Sequence, residues 1–284
     1  MKRILLTGGT GLVGRNILPI LREHYTIDAP TRQELNLLDE KAVEDYIKNN
    51  HYDIIIHSAN PNGVKNPLDQ NVNMVEGSLR CFLNFYRMRE YYGKMFYLGS
   101  GAEFSKTRDM VSISENEFDQ FIPPEEYGFG KYVMYQLASQ TENVYNLRVF
   151  ACYGPGDHES KFITHCIQDI LDGKDELTIR QDCVFDYMHV YDLAGIILRF
   201  IEIDKPKYHD YNLACGEKHL LSEIADMVRK EMHSDIPIRI LKEGRNWEYS
   251  ASNERLLDEI GPYSFIRLKD GIKMQIESER ELRR

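Results

Sequence analysis

A chain of 284 residues, 42% of them hydrophobic, can bury a sizeable core, as one large α/β unit or as two unequal lobes. Its formal net charge of −10 gives no basic footprint for nucleic acid, so a negatively charged ligand has to be captured locally. The cysteines Cys81, Cys152, Cys166, Cys183 and Cys215 are scattered without CxxC or metal-ligand spacing, so reduced thiols and no metal centre are expected.

At the N-terminus, Lys2 and Arg3 precede a short apolar run that glycines end too soon for a signal peptide. No stretch approaches the ~18 apolar residues of a membrane span, so a cytoplasmic protein without membrane contact is expected. "KRILLTG" reads as a buried strand and "GLVGRNILPILREH" as a helix with apolar residues at helical spacing. "YTIDAP" is a second strand, "DEKAVEDYIKNN" an amphipathic helix opened by Asp39, and "YDIIIHSAN" a third strand. A long helix is expected over 71–92, then a strand in "KMFYLGSG", a helix through "EEYGFGKYVMY" and a strand in "VYNLRVFACYG".

Strands that are continuous apolar runs, alternating with helices, predict a Rossmann-type α/β fold with a doubly wound parallel sheet. Beyond Gly154 the rhythm loosens. A helix is expected over 160–173, strands over 177–180 and 184–190, and a helix over 191–204. "EIDKPKYHDY" reads as a surface connection, and "HLLSEIADMVRKEM" as the clearest later helix. The expected division is a dinucleotide-binding domain over 1–155, to which 181–204 returns, and a smaller mixed α/β substrate lobe over most of 156–284. "ESERELRR" reads as a solvated helix end or a frayed tail.

Between the first strand and helix, Gly9, Gly11 and Gly14 fit G-x-G-x-x-G, and Gly8, Gly11 and Gly14 fit a G-x-x-G-x-x-G frame. Glycine permits a tight turn and lets backbone N–H groups approach a pyrophosphate, whose charge suits the helix N-terminus. This position in a strand–turn–helix unit points to a bound dinucleotide. After the second strand, Arg32 would take the 2′-phosphate of NADP, while Asp28 would hold the ribose of NAD. NADP through Arg32 is expected, with NAD as the alternative.

Tyr127 and Lys131 stand four residues apart and share a helix face. The plain reading is an exposed surface pair; the functional one is a phenol whose pKa a neighbouring cation lowers toward useful acid–base work. Ser100, ending the strand in "FYLGSGAEFS", favours the second, because ligands of parallel sheets bind at the carboxyl ends of strands. Its hydroxyl could hold a carbonyl oxygen while Tyr127 moves the proton.

"TGGTGLVG", "DIIIHSAN", "LGSGAEF", "YGFGK" and "FDYMHVYDLA", in this order, resemble the extended short-chain dehydrogenase/reductases of nucleotide-sugar metabolism (the NAD-dependent epimerase/dehydratase family). The likeness covers roughly residues 2–220. "TRQELNLLDEKAVEDYIKNNHYD" is similar to the GDP-L-fucose synthase branch and to reductases of 4-keto-6-deoxy sugars. The resemblance implies a catalytic triad of Ser100, Tyr127 and Lys131, with Lys131 also on the nicotinamide ribose. It implies cofactor contacts at Gly8, Gly11, Leu12, Val13, Gly14, Ala59, Leu98 and Val149, Phe150, Ala151 and Cys152. It further implies a homodimer through helices around 71–92 and 126–142, and a place in cell-surface polysaccharide biosynthesis.

Departures from that pattern narrow the reaction. The dehydratases it resembles carry Asp-Glu after the active-site hydroxyl; here Gly101 and Ala102 follow, and Glu103 is one residue late, expected on a strand edge facing away. Ala102 stands where epimerising relatives have cysteine, and Lys161 where they have histidine, with His165 one turn on as a surface residue or a catalytic acid. Phe185 replaces an arginine that grips the substrate diphosphate in the enzymes it resembles, so either Lys161, Arg180 or Arg255 supplies the contact or the substrate is not a usual nucleotide diphosphate, with Ala102 also lining the sugar site. His189 and Asp192 read as structural, and Trp247 as a base-stacking or a core residue. The expected activity is reduction of the C4 keto group of a nucleotide-activated 6-deoxy sugar. A 4-epimerase with retained NAD is the alternative, and a non-catalytic dinucleotide sensor a more distant one.

Overall fold

The computed structural model describes residues 2–61, 70 and 72–284. The first half runs β1 (Arg3–Thr7), α1 (Leu12–Arg22), β2 (Thr26–Asp28), α2 (Glu40–Asn50), β3 (Ile54–His57), α3 (Met74–Tyr86), β4 (Lys94–Ser100), β5 (Met110–Ile113), α4 (Glu126–Ala138) and β6 (Val144–Val149). The second runs β7 (Ala151–Tyr153), α5 (Phe162–Leu171), β8 (Leu177–Asp182), β9 (Val184–His189), α6 (Val190–Glu202), β10 (Asp210–Leu213) and β11 (Lys218–Leu220). It closes with α7 (Leu221–Glu231), β12 (Ile238–Arg245), β13 (Tyr249–Ala251), α8 (Glu254–Ile260) and α9 (Leu268–Leu282).

Six strands build the central sheet in the order β2-β1-β3-β4-β6-β10, every pair parallel. Alternate side chains divide between two cores, as the period of two requires. Ile4, Leu6, Ile54, Ile56 and Phe96 pack with Ile17 of α1 and Leu193 and Ile197 of α6. Leu5, Ile55, Met95 and Tyr97 pack with Val43 of α2, Phe82 and Phe85 of α3 and Met134 of α4. Helices therefore cover both faces, the doubly wound arrangement that the apolar strands predict. Strand order reverses between β1 and β3, where folds of this kind bind ligands beyond the carboxyl ends.

A second sheet, β11-β9-β13-β5 with β7 beside β9, and a two-stranded β12–β8 ribbon lie outside the central one. Ile163 and Ile167 of α5, Ile224 and Val228 of α7, and Ile272 and Ile276 of α9 share a separate core with Leu177 and Ile179. No helix among the described residues is long and apolar enough to cross a membrane.

Four expectations need correction. The strand through "VYNLRVFACYG" divides at Phe150: β6 stays in the central sheet and β7 crosses to β9. The helix expected over 71–92 spans Met74–Tyr86 and is followed by a 3-10 turn at Arg89–Tyr91; Asn71 lies outside the described residues. The end of "EIDKPKYHDY" is not a surface connection, because Asp210 and Tyr211 begin β10, fully buried against β6. Glu103 lies in a 3-10 turn, Gly101–Phe104, rather than on a strand edge. The other boundaries agree to a few residues. Asp39 caps α2, its side chain accepting from the Ala42 N–H at 3.0 Å. "ESERELRR" carries α9 through Leu282, so it is a helix end.

Candidate active site

The glycine turn closes directly over the ends of β1 and β3. Gly8 has φ +73°, and a Cβ there would lie 2.8 Å from the Ala59 backbone nitrogen. A Cβ on Gly14 would lie 2.1 Å from the Gly8 carbonyl oxygen, so both positions exclude any side chain. The Gly11 N–H donates to the Gly8 carbonyl at 3.0 Å. Gly11 also caps α1 without a side-chain hydrogen bond, and the first turn, with Leu12 and Val13, has no acidic residue. Unclaimed N–H groups at a helix start, with bare backbone before them, fit a diphosphate. Ala59 lies beside this cradle, as the sequence suggests.

Beyond β2, a Cβ on Gly9 would touch the Ala29 methyl at 3.4 Å, which puts Ala29 at the tip next to the turn. Asp28 faces elsewhere: its carboxylate accepts from Arg3 Nη2 at 2.9 Å and from the Tyr52 hydroxyl at 2.7 Å. Half-buried at the end of the edge strand, it is already engaged by these two donors. Arg32 is exposed on the segment that follows.

Ser100, Tyr127 and Lys131 converge at the carboxyl end of β4. Ser100 is the last residue of that strand and 6% exposed. It caps the 3-10 turn, its hydroxyl accepting from the Ala102 N–H at 3.2 Å. Tyr127 and Lys131 rise from α4, which approaches this turn closely because residue 128 is glycine. A Cβ there would lie 2.6 Å from the Ala102 carbonyl oxygen. The Lys131 ammonium, 5% exposed, donates to the Leu98 carbonyl at 2.8 Å. Leu98 and Val149 flank this end of the sheet, with Ser100 in register with Val149.

The electrostatics differ from the expected effect of a neighbouring cation. Tyr127 keeps part of its surface open, yet the surrounding protein raises its pKa. Contact with the Ser100 side chain pulls it back, and the Glu103 charge raises it further. The pKa of Lys131 is lowered to about 8 by burial, against attraction from Glu103. Its ammonium is turned to Leu98, so it does not depress the phenol. A raised pKa keeps the proton on Tyr127 at neutral pH, which suits a proton donor.

Glu103 turns into the protein interior. It accepts from the Ser100 N–H at 2.8 Å, from Asn146 Nδ2 at 2.9 Å and from Arg148 Nε at 2.8 Å. Arg148 Nη1 donates to Asp210 at 2.9 Å and to Asn212 at 3.0 Å. Neither Glu103 nor Arg148 has solvent-exposed surface. Sequence reading gave no role to this buried network, whose members lie far apart in the chain.

A pocket of about 530 Å³ is lined among others by Lys106, Arg108, Arg180, Lys242, Phe185 and Trp247, and it meets the surroundings of Ser100 through Tyr249. Trp247 is 48% exposed, so it is a pocket-wall residue and not core. Arg180 lines this pocket, and so do Lys106, Arg108 and Lys242, which sequence reading did not single out because they sit on loop and ribbon positions without a local motif. Tyr249 of β13 lines the pocket too, and its ring lies 5.2 Å from Phe150 and 5.4 Å from Phe185.

Other sequence candidates are placed differently. Arg255 does not line this pocket; it pairs with Asp210 at 2.5 Å, donates to Asn116 at 2.7 Å and lies 4.7 Å above the Tyr208 ring. Ala102 is buried at 3% exposure behind Ser100, leaving it almost no surface for a sugar. Phe150 packs under Gly101, where a Cβ would meet its ring at 2.7 Å, while Ala151 and Cys152 keep partial exposure. Lys161 caps α5 and is exposed, and its charge reaches Lys106 and Cys152. His165 is a surface residue paired with Asp169 at 3.3 Å. His189 caps α6, its Nδ1 accepting from the Tyr191 N–H at 3.3 Å. Asp192 accepts from the Ile266 N–H at 3.1 Å, so both are structural. None of the five cysteines forms a disulfide among the described residues.

A parallel sheet, a glycine turn at its switch point and a Ser–Tyr–Lys constellation define a dinucleotide-dependent enzyme of the short-chain dehydrogenase type. The family model described as "NAD dependent epimerase/dehydratase family" matches residues 4–214, and the chain belongs to that family of enzymes. It is 24% identical over 254 residues to a GDP-L-fucose synthase of Azorhizobium caulinodans, covering 81% of this chain and 80% of that one. It is 25% identical over 255 residues to a GDP-L-colitose synthase of Yersinia pseudotuberculosis, covering 80% and 81%. The fold matches that of a GDP-mannoheptose C4 reductase from Campylobacter jejuni solved with NADP, at TM-score 0.84, 18% identity and 98% coverage of each chain.

Proposed function

We propose that this protein is an NADP-dependent reductase of the C4 keto group of a nucleotide-activated 6-deoxy sugar. The observation that carries this reading is the meeting of Ser100, Tyr127 and Lys131 between a dinucleotide cradle and a cationic, aromatic-lined pocket. The residues present fit the cofactor: Gly8, Gly11 and Gly14 leave room for its diphosphate, and Arg32 is the cation beyond β2 for a 2′-phosphate. When bound, the nicotinamide supplies the hydride for the carbonyl carbon.

The chain's own groups do the rest. Ser100 holds the carbonyl oxygen, Tyr127 gives its proton to that oxygen as negative charge develops, and Lys131 would hold the nicotinamide ribose. Lys106, Arg108, Arg180 and Lys242 would bind the substrate diphosphate in place of the arginine missing at Phe185, with Lys161 at the near end, and Trp247 would stack on the base. The name of the fucose synthase relative favours a nucleotide-sugar substrate, and the name of the Campylobacter structure favours C4 reduction and NADP.

The test is a turnover screen of GDP-, CDP-, UDP- and dTDP-linked 4-keto-6-deoxy sugars with NADPH and NADH. Stoichiometric NADPH oxidation with one nucleotide series is expected. Interconversion of C4 epimers without net cofactor consumption would replace this reading with the retained-NAD epimerase, and NADH preference would remove Arg32 from its role.

With Lys131 titrating near 8, kcat/KM for reduction should fall as pH rises through about 8. A flat profile to pH 9.5 would contradict its charged role. Stability should move the opposite way in this window. The folded-state pKa lies below the ordinary 10.5, so the unfolded chain binds more protons between about 8 and 10.5. This group therefore adds stability to the unliganded protein as pH rises.

Helices α3 and α4 pack on each other, and each leaves a large apolar side chain open, Leu83 at 39% and Phe129 at 41% exposure. We propose that these helices pair two copies into a homodimer. Sedimentation equilibrium should return twice the chain mass; a monomer at micromolar concentration would overturn it.

A further inference from the structure

Tyr249 comes from the second sheet, far in sequence from the triad, and is only 6% exposed. Its register opposite Phe185 and Met110 sends the side chain over Gly101, the residue after the serine. A Cβ on Gly101 would lie 2.5 Å from the Tyr249 hydroxyl oxygen, so only glycine leaves the phenol this position. The hydroxyl reaches the Phe150 carbonyl at 3.5 Å, a long and weak bond. The Ser100 side chain contacts both phenols, Tyr127 and Tyr249. Of the three residues, Tyr249 alone also lines the 530 Å³ pocket. The Lys106 ammonium lies 5.0 Å over its ring.

From this geometry we infer that Tyr249 is a specificity-determining residue that hydrogen-bonds the C3 hydroxyl of the sugar, and so selects 6-deoxy substrates that retain that hydroxyl over 3-deoxy ones. The inference rests on the reductase reading above and on two further steps. First, Ser100 must touch the C4 oxygen, and Tyr249 touches Ser100, so its phenol stands about one hydrogen-bond length, ~3 Å, from the oxygen's surroundings. It therefore meets a substituent on a carbon next to C4. Second, of the two ring carbons flanking C4 in a 6-deoxy sugar, only C3 carries a hydroxyl; C5 carries a methyl group. Tyr249 also stands between Ser100 and the Lys106 cation of the pocket. The weak bond to Phe150 leaves the phenol ready to exchange that partner for a substrate oxygen.

A site built to hydrogen-bond a substrate hydroxyl discriminates strongly against an analogue without it, because its own polar group is then left unpaired. The experiment compares a 4-keto-6-deoxyhexose, linked to the nucleotide that the screen selects, with its 3-deoxy counterpart, on wild-type enzyme and on Tyr249→Phe. The phenyl ring keeps the packing against Phe150 and Phe185, and unchanged NADPH affinity and melting temperature certify the fold. Wild-type kcat/KM should favour the 3-hydroxy sugar by at least about tenfold, and Tyr249→Phe should bring the ratio to within about twofold of one. Loss of rate confined to the 3-hydroxy sugar distinguishes a direct contact from a packing role, which would slow both sugars alike. An equal slowing of both, or an unchanged ratio, overturns the inference while leaving the reductase reading standing. A wild-type enzyme that reduces no 4-keto nucleotide-sugar overturns the reading and the inference together.

Discussion

Tyr127→Phe should lower kcat by about three orders of magnitude, within the range that a positioned acid–base group contributes, while NADPH binds within about twofold of the wild type. The substitution removes one oxygen and keeps the ring, so α4 should keep its approach to the 3-10 turn through Gly128. Ser100 would still hold the carbonyl oxygen, since its position is fixed by the Glu103 carboxylate on its N–H and not by Tyr127. What disappears is the proton. Without a donor, negative charge on the substrate oxygen has only the serine hydroxyl to stabilise it, and the reaction stalls with both ligands bound. Stopped-flow measurement of NADPH oxidation, alongside a fluorescence titration of NADPH, separates the two quantities. Turnover within tenfold of wild type would eliminate the phenol as donor.

The parts of this site that were legible in the sequence are those set by short-range geometry. Gly8, Gly11 and Gly14 reveal the cradle because their spacing is local to one strand–turn–helix unit, within which a Cβ on Gly14 would strike the Gly8 carbonyl. Tyr127 and Lys131 reveal a shared face because helical spacing alone brings i and i+4 together. Ser100 follows from the rule that parallel strands present their carboxyl ends to ligands. Tyr249 escaped because its place depends on β13 pairing with β9, at Phe185, and with β5, at Met110. No local pattern in "NWEYSAS" encodes that register. Arg255 was misassigned for the same reason: an arginine near a helix start suits a phosphate, but Asp210, at the start of the short buried strand β10, claims it. The expectation that Lys131 lowers the Tyr127 pKa failed because spacing fixes the helix face and not the ammonium's partner, which is the Leu98 carbonyl.

Arg148 also escaped sequence reading, and its replacement should have the largest effect on stability. The side chain is fully buried between Glu103 and Asp210, with its guanidinium 4.7 Å from the Phe104 ring and 5.1 Å from the Tyr135 ring. Arg148→Met would fit the aromatic surroundings but leave two carboxylates without their shared cation, Glu103 wholly inside the protein. Removing one partner of a buried ion pair typically costs about 3–5 kcal/mol, because the remaining charge is then uncompensated. The loss should lower the melting temperature by roughly 6–20 °C, at about 2–4 °C per kcal/mol for a chain somewhat smaller than this one. Glu103 and Asp210 retain Asn146 and Arg255 as partners, which places the outcome nearer the lower end. Because Glu103 also accepts the Ser100 N–H, a carboxylate that moves or takes up a proton would loosen the serine proposed to hold the substrate oxygen. The variant should therefore lose kcat even at temperatures where it stays folded. Urea unfolding with parallel activity assays would decide the matter: a midpoint shift worth less than about 1 kcal/mol would show that the two carboxylates find other compensation and that the network does not hold the sheet edge.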